Sequence, residues 1–180
     1  AQLPMLIAGY HIPEAAHEDI YPLEVLQKIL SDGQSSRLYN KLVYENQVAL
    51  YAGGGVSNNE DPGLFYLYMG MNRGRELDEG KKMLFDEIQR FAEEPVSDRE
   101  LQKARNQLEA EYIFGLQTAS SKASKLGWFE IYTGDYKNMF TAPEKYRSVT
   151  KEDIMRVAKK YLRPDNRTVV ILEPLDGTGT

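Results

Sequence analysis

Residues 48–71 have the sequence VALYAGGGVSNNEDPGLFYLYMGM, and this stretch decides the fold class. Its two short apolar runs, 48–56 and 64–71, are typical of strands, and three glycines weaken or bulge the far end of the first run. The residues from Asn58 to Gly63 are of the types that favour a turn. Two strands joined by a short turn predict an antiparallel pair.

The segments around this hairpin add a strand near each end of the chain and helices in between. Residues 3–10 and 168–172 are short and apolar, as strands are. Apolar side chains recur every three or four residues in six other stretches, which predicts helices over 23–30, 36–43, 84–92, 98–112, 121–132 and 150–162. We therefore predict an α+β fold, a mainly antiparallel β-sheet with helices packed on one face.

The composition excludes several classes of protein. The chain has 180 residues, a formal net charge of −5 and no cysteine. An acidic chain lacks the basic stripe that nucleic acid requires, and no apolar run approaches the ~20 residues of a membrane-spanning helix. Without cysteine there is no disulfide framework and no thiolate zinc site. We expect no nucleic acid partner and no membrane span.

The beginning of the chain suggests a part of a longer protein. The sequence opens at Ala1, without a methionine, and enters an apolar stretch at once. We expect an excised domain or a processed chain.

His11, Glu14 and His17 form the only cluster of potential metal ligands in the sequence. Their three-residue spacing would bring them onto one face of a helix, but Pro13 disfavours a helix there. The pattern is neither H-E-x-x-H nor H-x-x-E-H. We predict a solvated loop over 11–17; an autonomous metal-binding enzyme using these three residues is the alternative, which metal analysis would decide.

No other motif provides a complete catalytic site. The three glycines at 53–55 lack the lysine and Ser/Thr of a phosphate-binding loop, and Ser35-Ser36 lacks a G-x-S-x-G context and suits a helix cap. Glu109 and Glu111, two residues apart on a predicted helix, point to different sides; Glu111 lies nearer the apolar stripe. We interpret these residues as structural.

Tyr66 and Tyr68 share one face of the second hairpin strand, because strand side chains alternate. Such a face is either an ordinary half-buried sheet surface or the lining of a groove for an extended peptide.

Four segments, taken in order, carry a resemblance to a known family. They are residues 30–39 (LSDGQSSRLY), 103–112 (KARNQLEAEY), 149–162 (VTKEDIMRVAKKYL) and 164–170 (PDNRTVV). Together they resemble the pitrilysin/insulinase family of zinc metallopeptidases, over nearly the whole chain. The match is to the C-terminal, non-zinc half of one family unit.

This resemblance implies a C-terminal non-catalytic domain over residues 1–174 and a flexible tail over 175–180. Active members carry an H-x-x-E-H motif on their N-terminal half, and this chain lacks that motif. We therefore expect no catalytic residue and no metal in this chain, with zinc on the missing N-terminal half. The implied partners are that N-terminal peptidase domain, a homologous subunit and an extended peptide substrate. A bacterial periplasmic or envelope setting is favoured over the cytoplasm.

The resemblance also selects candidate substrate-binding residues. Many members place an arginine and, seven residues later, a tyrosine after the Ser-Ser-Arg segment, and both are thought to reach the scissile peptide. Val43 and Leu50 stand at these positions here, and a shift of one residue would offer Tyr44 and Tyr51. The candidate set, with the arginine of the segment itself, is Arg37, Tyr44, Leu50 and Tyr51.

The expected function is that of a non-catalytic half of a zinc metalloendopeptidase, which pairs with a zinc-bearing half, encloses extended peptides and is inactive alone. The alternative is a structural or scaffold homologue without proteolytic activity. The residues before Ala1 discriminate between them, because an intact H-x-x-E-H there favours the peptidase.

Overall fold

The computed structural model describes residues 3–174, and its centre is a four-stranded antiparallel sheet. The strands are β1 (Met5–Ile12), β2 (Ala49–Val56), β3 (Gly63–Met71) and β4 (Arg167–Leu172). They lie side by side in the order β2-β3-β1-β4, so the first and last strands of the chain are neighbours. The predicted hairpin is confirmed as the β2–β3 pair.

Helices cover one face of this sheet, which confirms the predicted α+β architecture. They are α1 (Ile20–Ser31), α2 (Leu77–Glu93), α3 (Asp98–Phe114), α4 (Ala119–Thr133), α5 (Asn138–Ser148) and α6 (Lys151–Tyr161). The strand side chains that face them are fully buried, including Leu6, Tyr10, Phe65, Leu67 and Met69. Burying a large apolar side chain contributes roughly 1.5–3 kcal/mol, so this layer supplies much of the stability of the fold.

Local capping signals in the sequence set several helix ends. The Ser97 hydroxyl accepts a hydrogen bond from the Glu100 backbone N–H at 3.2 Å, and the Glu100 carboxylate accepts one from the Ser97 N–H at 2.9 Å. These reciprocal hydrogen bonds form a capping box that fixes the start of α3. Gly134, with φ of +72°, ends α4 in the left-handed conformation that favours glycine.

Three details in the first half of the chain differ from the predictions. β1 runs to Ile12, so His11 lies in a strand rather than a loop, and Pro13 ends the strand because it has no N–H to donate. The irregularity in β2 lies between Ala49 and Tyr51, not at the glycines, which keep their register with β3. The short helix predicted after Ser35-Ser36 is a π-helical segment, Tyr39–Glu45.

Helix α5 was not predicted, and it contains a proline. Pro143 cannot donate to the carbonyl of Met139 four residues earlier, which is a reason to expect no helix. In the fold, the Tyr112 hydroxyl on α3 donates to that Met139 carbonyl at 2.5 Å. A contact from a distant segment thus satisfies the carbonyl that the proline leaves without its usual donor.

Within residues 3–174, no helix combines the length and the apolar character needed to cross a membrane. The tail predicted over 175–180 lies outside the described residues.

Candidate functional site

The face of the sheet opposite the helices, here called the open face, is apolar and has no covering element within residues 3–174. Six large apolar side chains on it are 37–59% exposed: Ile7, Leu64, Tyr66, Tyr68, Val170 and Leu172. The strand register places Ile7 between Tyr68 and Val170, so the surface is continuous across β3, β1 and β4. Contiguous exposed apolar surface of this kind marks interaction sites.

Two tyrosines of the open face lie flat over glycines of the neighbouring strand. Tyr68 pairs with Gly53, and Tyr66 pairs with Gly55. A Cβ added at Gly53 would lie 2.7 Å from the Tyr68 hydroxyl oxygen, and one at Gly55 would lie 2.6 Å from that of Tyr66. Only glycine leaves room for the rings, so the alternating glycines of β2 and tyrosines of β3 form one aromatic surface.

Three of the four predicted substrate-binding residues lie in or just before β2, which pairs only with β3 in the described part of the chain. Leu50 is 50% exposed at the irregularity of the strand, and Tyr51 lies over Gly70 of β3. Tyr44 is strongly exposed on the π-helical segment that precedes the strand. The structure therefore brings these three close to the outer edge of the sheet.

Arg37, the fourth predicted substrate-binding residue, faces the helices instead. Its Nε and Nη2 donate to the two carboxylate oxygens of Glu100 at 2.7 and 3.1 Å, and Nη1 donates to the buried Glu87 at 3.3 Å. Its guanidinium also lies 4.5 Å from the centre of the Phe91 ring. Burial alone would raise the pKa of Glu100, but hydrogen bonds from Arg37 and Ser97 outweigh it and lower that pKa to about 2. These contacts tie the segment after α1 to α2 and α3.

The three residues weighed as metal ligands do not form a site. His11 is on the open face, whereas His17 lies in the loop before α1 and its Nδ1 accepts from the Asp19 N–H at 3.0 Å. Residues 3–174 contain no group of three or more His, Asp or Glu side chains placed to hold a metal ion. The described residues therefore do not fit a zinc site.

Two glutamates of α3 pair with cations and do not face each other. Glu109 binds Arg147, and Glu111 accepts from Lys28 at 2.7 Å. The side chain of Glu111 is the more exposed of the two, 58% against 24%, so the prediction that it lies nearer the apolar stripe was wrong. Glu111 faces α1 and forms its ion pair with Lys28 of that helix.

Sequence reasoning missed a second site, a cavity of about 650 Å³ between α1, α3, α4 and α5. Glu24 and Lys125, which are 101 residues apart in sequence, line it together with several aromatic side chains. No local motif joins these residues. The helical spacing of Tyr21 and Glu24 on α1 and of Lys125 and Trp128 on α4 was the only signal available.

Comparison with known proteins shows relatives among zinc proteases. The chain is 25% identical over 174 residues to the zinc protease PqqE of Helicobacter pylori, covering 96% of this chain and 38% of that protein. It therefore spans about two fifths of that relative. It is also 26% identical over 102 residues to subunit 2 of the mitochondrial cytochrome b-c1 complex of Mus musculus, covering 57% of this chain and 22% of that protein.

A solved structure has the same extent as this chain. The inactive peptidase domain of a proposed zinc protease from Bordetella parapertussis superposes with a TM-score of 0.88 at 26% identity, covering 100% of this chain and 95% of that one. Residues 1–108 match the family model described as the peptidase M16 inactive domain, and the chain belongs to this family.

Proposed function

We propose that this domain is the non-catalytic half of a zinc metalloendopeptidase and that it packs its open face against the zinc-bearing half. The observation that supports the proposal most strongly is the uncovered apolar face of the sheet. The chain spans only 38% of the Helicobacter pylori relative, and a protein of that relative's length has ample further chain to cover such a face.

The energetics favour such a pairing. Ile7, Tyr68 and Val170 are neighbours on the open face and are 45%, 37% and 59% exposed. Removing apolar surface from water is favourable by roughly 25 cal/mol per Å², so a partner that covers several such side chains gains binding free energy from each. The flat tyrosines offer wide rings with few rotatable bonds, which limits the entropy lost on association.

The outer edge of β2 is the proposed contact for an extended peptide. An edge strand presents backbone groups that a peptide strand can pair with, and side chains near it select among peptides. Tyr44, Leu50 and Tyr51 are exposed there. Arg37 belongs to this proposal as a positioning residue, because its ion pairs fix the segment that leads into Tyr44 and β2.

Zinc belongs to the other half in this proposal. The domain would contribute binding surface and exclude water, and zinc held by the partner half would supply the hydrolytic chemistry. This division explains why a zinc protease relative matches a chain whose described residues fit no metal site.

The experiment uses the full-length protein and two matched variants, Ile7→Lys on the open face and Ile113→Lys on α3. Both isoleucines are about half exposed, at 45% and 57%, so neither change disrupts the core. We expect Ile7→Lys to lower kcat/KM for an unstructured peptide at least about tenfold, since a buried unpaired charge costs more than 1.4 kcal/mol. Ile113→Lys should retain activity. Equal activity of both variants would reject the pairing surface.

A test at the sheet edge addresses the peptide contact separately. Leu50→Glu places a charge on an exposed side chain beside β2 and should raise KM for the peptide while kcat stays near the wild-type value. Ile131→Glu, at a 67% exposed position on α4, is the control. An unchanged KM in Leu50→Glu would remove Leu50 from the peptide site.

The similarity to cytochrome b-c1 complex subunit 2 favours a second candidate function, that of a structural subunit without proteolysis. In that case the open face still pairs, but the full-length protein cleaves no peptide with or without added zinc. Zinc-dependent cleavage would exclude the scaffold.

A further inference from the structure

The cavity between α1, α3, α4 and α5 has aromatic walls and lies wholly within this chain. Aromatic side chains from all four helices line it, namely Tyr21, Tyr112, Trp128 and Tyr146. Its volume of about 650 Å³ falls in the range of small-molecule binding sites.

One wall of the cavity is fixed by a carboxyl group that already has donors. Glu24 Oε1 accepts from Asn58 Nδ2 at 2.5 Å, and Oε2 accepts from the Tyr146 hydroxyl. Burial raises the pKa of Glu24, and these two hydrogen bonds oppose that rise. The network joins α1 to α5 and to the β2–β3 turn at this wall of the cavity.

The ammonium group of Lys125, which also lines the cavity, has no hydrogen-bonding partner of this kind among the described residues. The Lys125 ammonium lies 4.8 Å from the centre of the Tyr112 ring and 5.9 Å from that of Phe129. Within residues 3–174 it forms no ion pair or hydrogen bond, and Glu24 acts on it only at a distance. Burial lowers the pKa of Lys125. A half-buried ammonium without an acceptor is costly, and an anionic group beside it would offset that cost.

We infer that this cavity binds a carboxylate carried on an aromatic or apolar body, such as the free C-terminal residue of a peptide. Lys125 pairs with the carboxylate, and the body packs against Trp128 and Tyr21. A peptide C-terminus and a free aromatic amino acid share this chemistry. Every group that would bind the ligand lies in this domain, so the cavity can act whether or not the open face pairs with another half.

The chain carries its own reporter for this site. Trp128 is its single tryptophan and lines the cavity, so ligand binding changes the intrinsic fluorescence. The probes are N-acetyl-phenylalanine, which has only the carboxylate charge, phenylalanine, which has both charges, and phenylalaninamide, which has only the ammonium. The isolated domain is a suitable sample, since a relative of the same extent was solved as a separate chain.

We expect N-acetyl-phenylalanine to bind saturably and Lys125→Gln to weaken its binding at least about tenfold, or 1.4 kcal/mol. Lys125→Arg should retain most of the affinity. Lys122→Gln, an exposed lysine on the same helix that does not line the cavity, should bind as the wild type does. Calorimetry and thermal melting of each variant confirm the affinity and the fold.

The comparison of probes identifies the source of the carboxylate. Tighter binding of N-acetyl-phenylalanine than of phenylalanine supports a peptide C-terminus, and the reverse supports a free amino acid. Binding of phenylalaninamide alone, no saturable binding of any probe, or equal binding by the wild type and a folded Lys125→Gln variant would overturn the inference.

Discussion

The ring of Tyr68 lies across Gly53 on the neighbouring strand, and a Cβ at Gly53 would be only 2.7 Å from the Tyr68 hydroxyl oxygen. The same relationship holds between Tyr66 and Gly55. Glycine in a strand interior usually weakens the strand, but here it permits each ring to lie flat. The glycines therefore determine the shape of the surface that we propose as the pairing face.

Gly53→Ala should displace the Tyr68 ring and lower the free energy of unfolding by about 1 kcal/mol. The methyl group overlaps the far end of a flexible side chain, so the ring rotates away and the fold persists. Urea denaturation measures the change in stability.

Gly127→Ala is the matched control for this substitution. Gly127 lies within α4, and an added Cβ meets no atom within 4 Å. Alanine there should stabilise the protein by about 0.5–1 kcal/mol, because glycine is a poor helix former. Stabilisation in both variants would mean that Tyr68 does not need the space at Gly53.

Arg37→Met should destabilise the domain by about 2 kcal/mol. It leaves Glu87, whose side chain is 4% exposed, with Lys41 as its closest remaining partner, and it removes both bonds to Glu100. Arg163→Met removes an ion pair with Asp165 in which both side chains are exposed, and it should change stability by less than about 0.5 kcal/mol. A thermal melt distinguishes the two; equal melting temperatures would show that the Arg37 ion pairs are not structural.

Asp19 should make the domain sensitive to acid. It is buried at the start of α1 and accepts from Arg156, Lys160 and Tyr161 on α6. Burial alone would raise its pKa, but these hydrogen bonds lower it from the ordinary 3.8 to about 2. A carboxyl whose folded pKa is depressed stabilises the protein above its unfolded pKa, and this contribution is lost as the pH falls from about 4 to about 2.

Asp19→Asn should therefore lower stability at neutral pH and flatten the decline in melting temperature between pH 4 and pH 2. Asp78→Asn, at a side chain that is 95% exposed, should keep the wild-type profile. An Asp19→Asn profile parallel to the wild-type profile would place the acid-sensitive group elsewhere.

Local signals made most of the fold predictable from the sequence. The turn at Asn58–Gly63 acts within a few residues, and the structure confirms it. The Ser97–Glu100 capping box and the helix end at Gly134 are equally local signals. Helix α5 was missed although it forms around Pro143; in the fold, a hydrogen bond from Tyr112 on another helix satisfies the Met139 carbonyl. A proline inside a helix costs free energy, and local sequence patterns do not show whether tertiary contacts offset that cost.

The candidate site was predictable only in part, for the same reason. Alternation along β3 predicts that Tyr66 and Tyr68 share a face, which the structure confirms. Their fit over the glycines of β2 depends on the register between two strands, which the sequence leaves open. The orientation of Arg37 toward α2 and α3 depends on helices fifty or more residues away.

Hydroxyl-radical footprinting of the full-length protein and the isolated domain compares the exposure of the open face in the two states. In the isolated domain Tyr66 and Tyr68 are 39% and 37% exposed and should react readily. We predict that both become strongly protected in the full-length protein, while an exposed helical residue such as Ile113 stays reactive. Equal reactivity of Tyr66 and Tyr68 in both samples would show that the other half does not cover the open face.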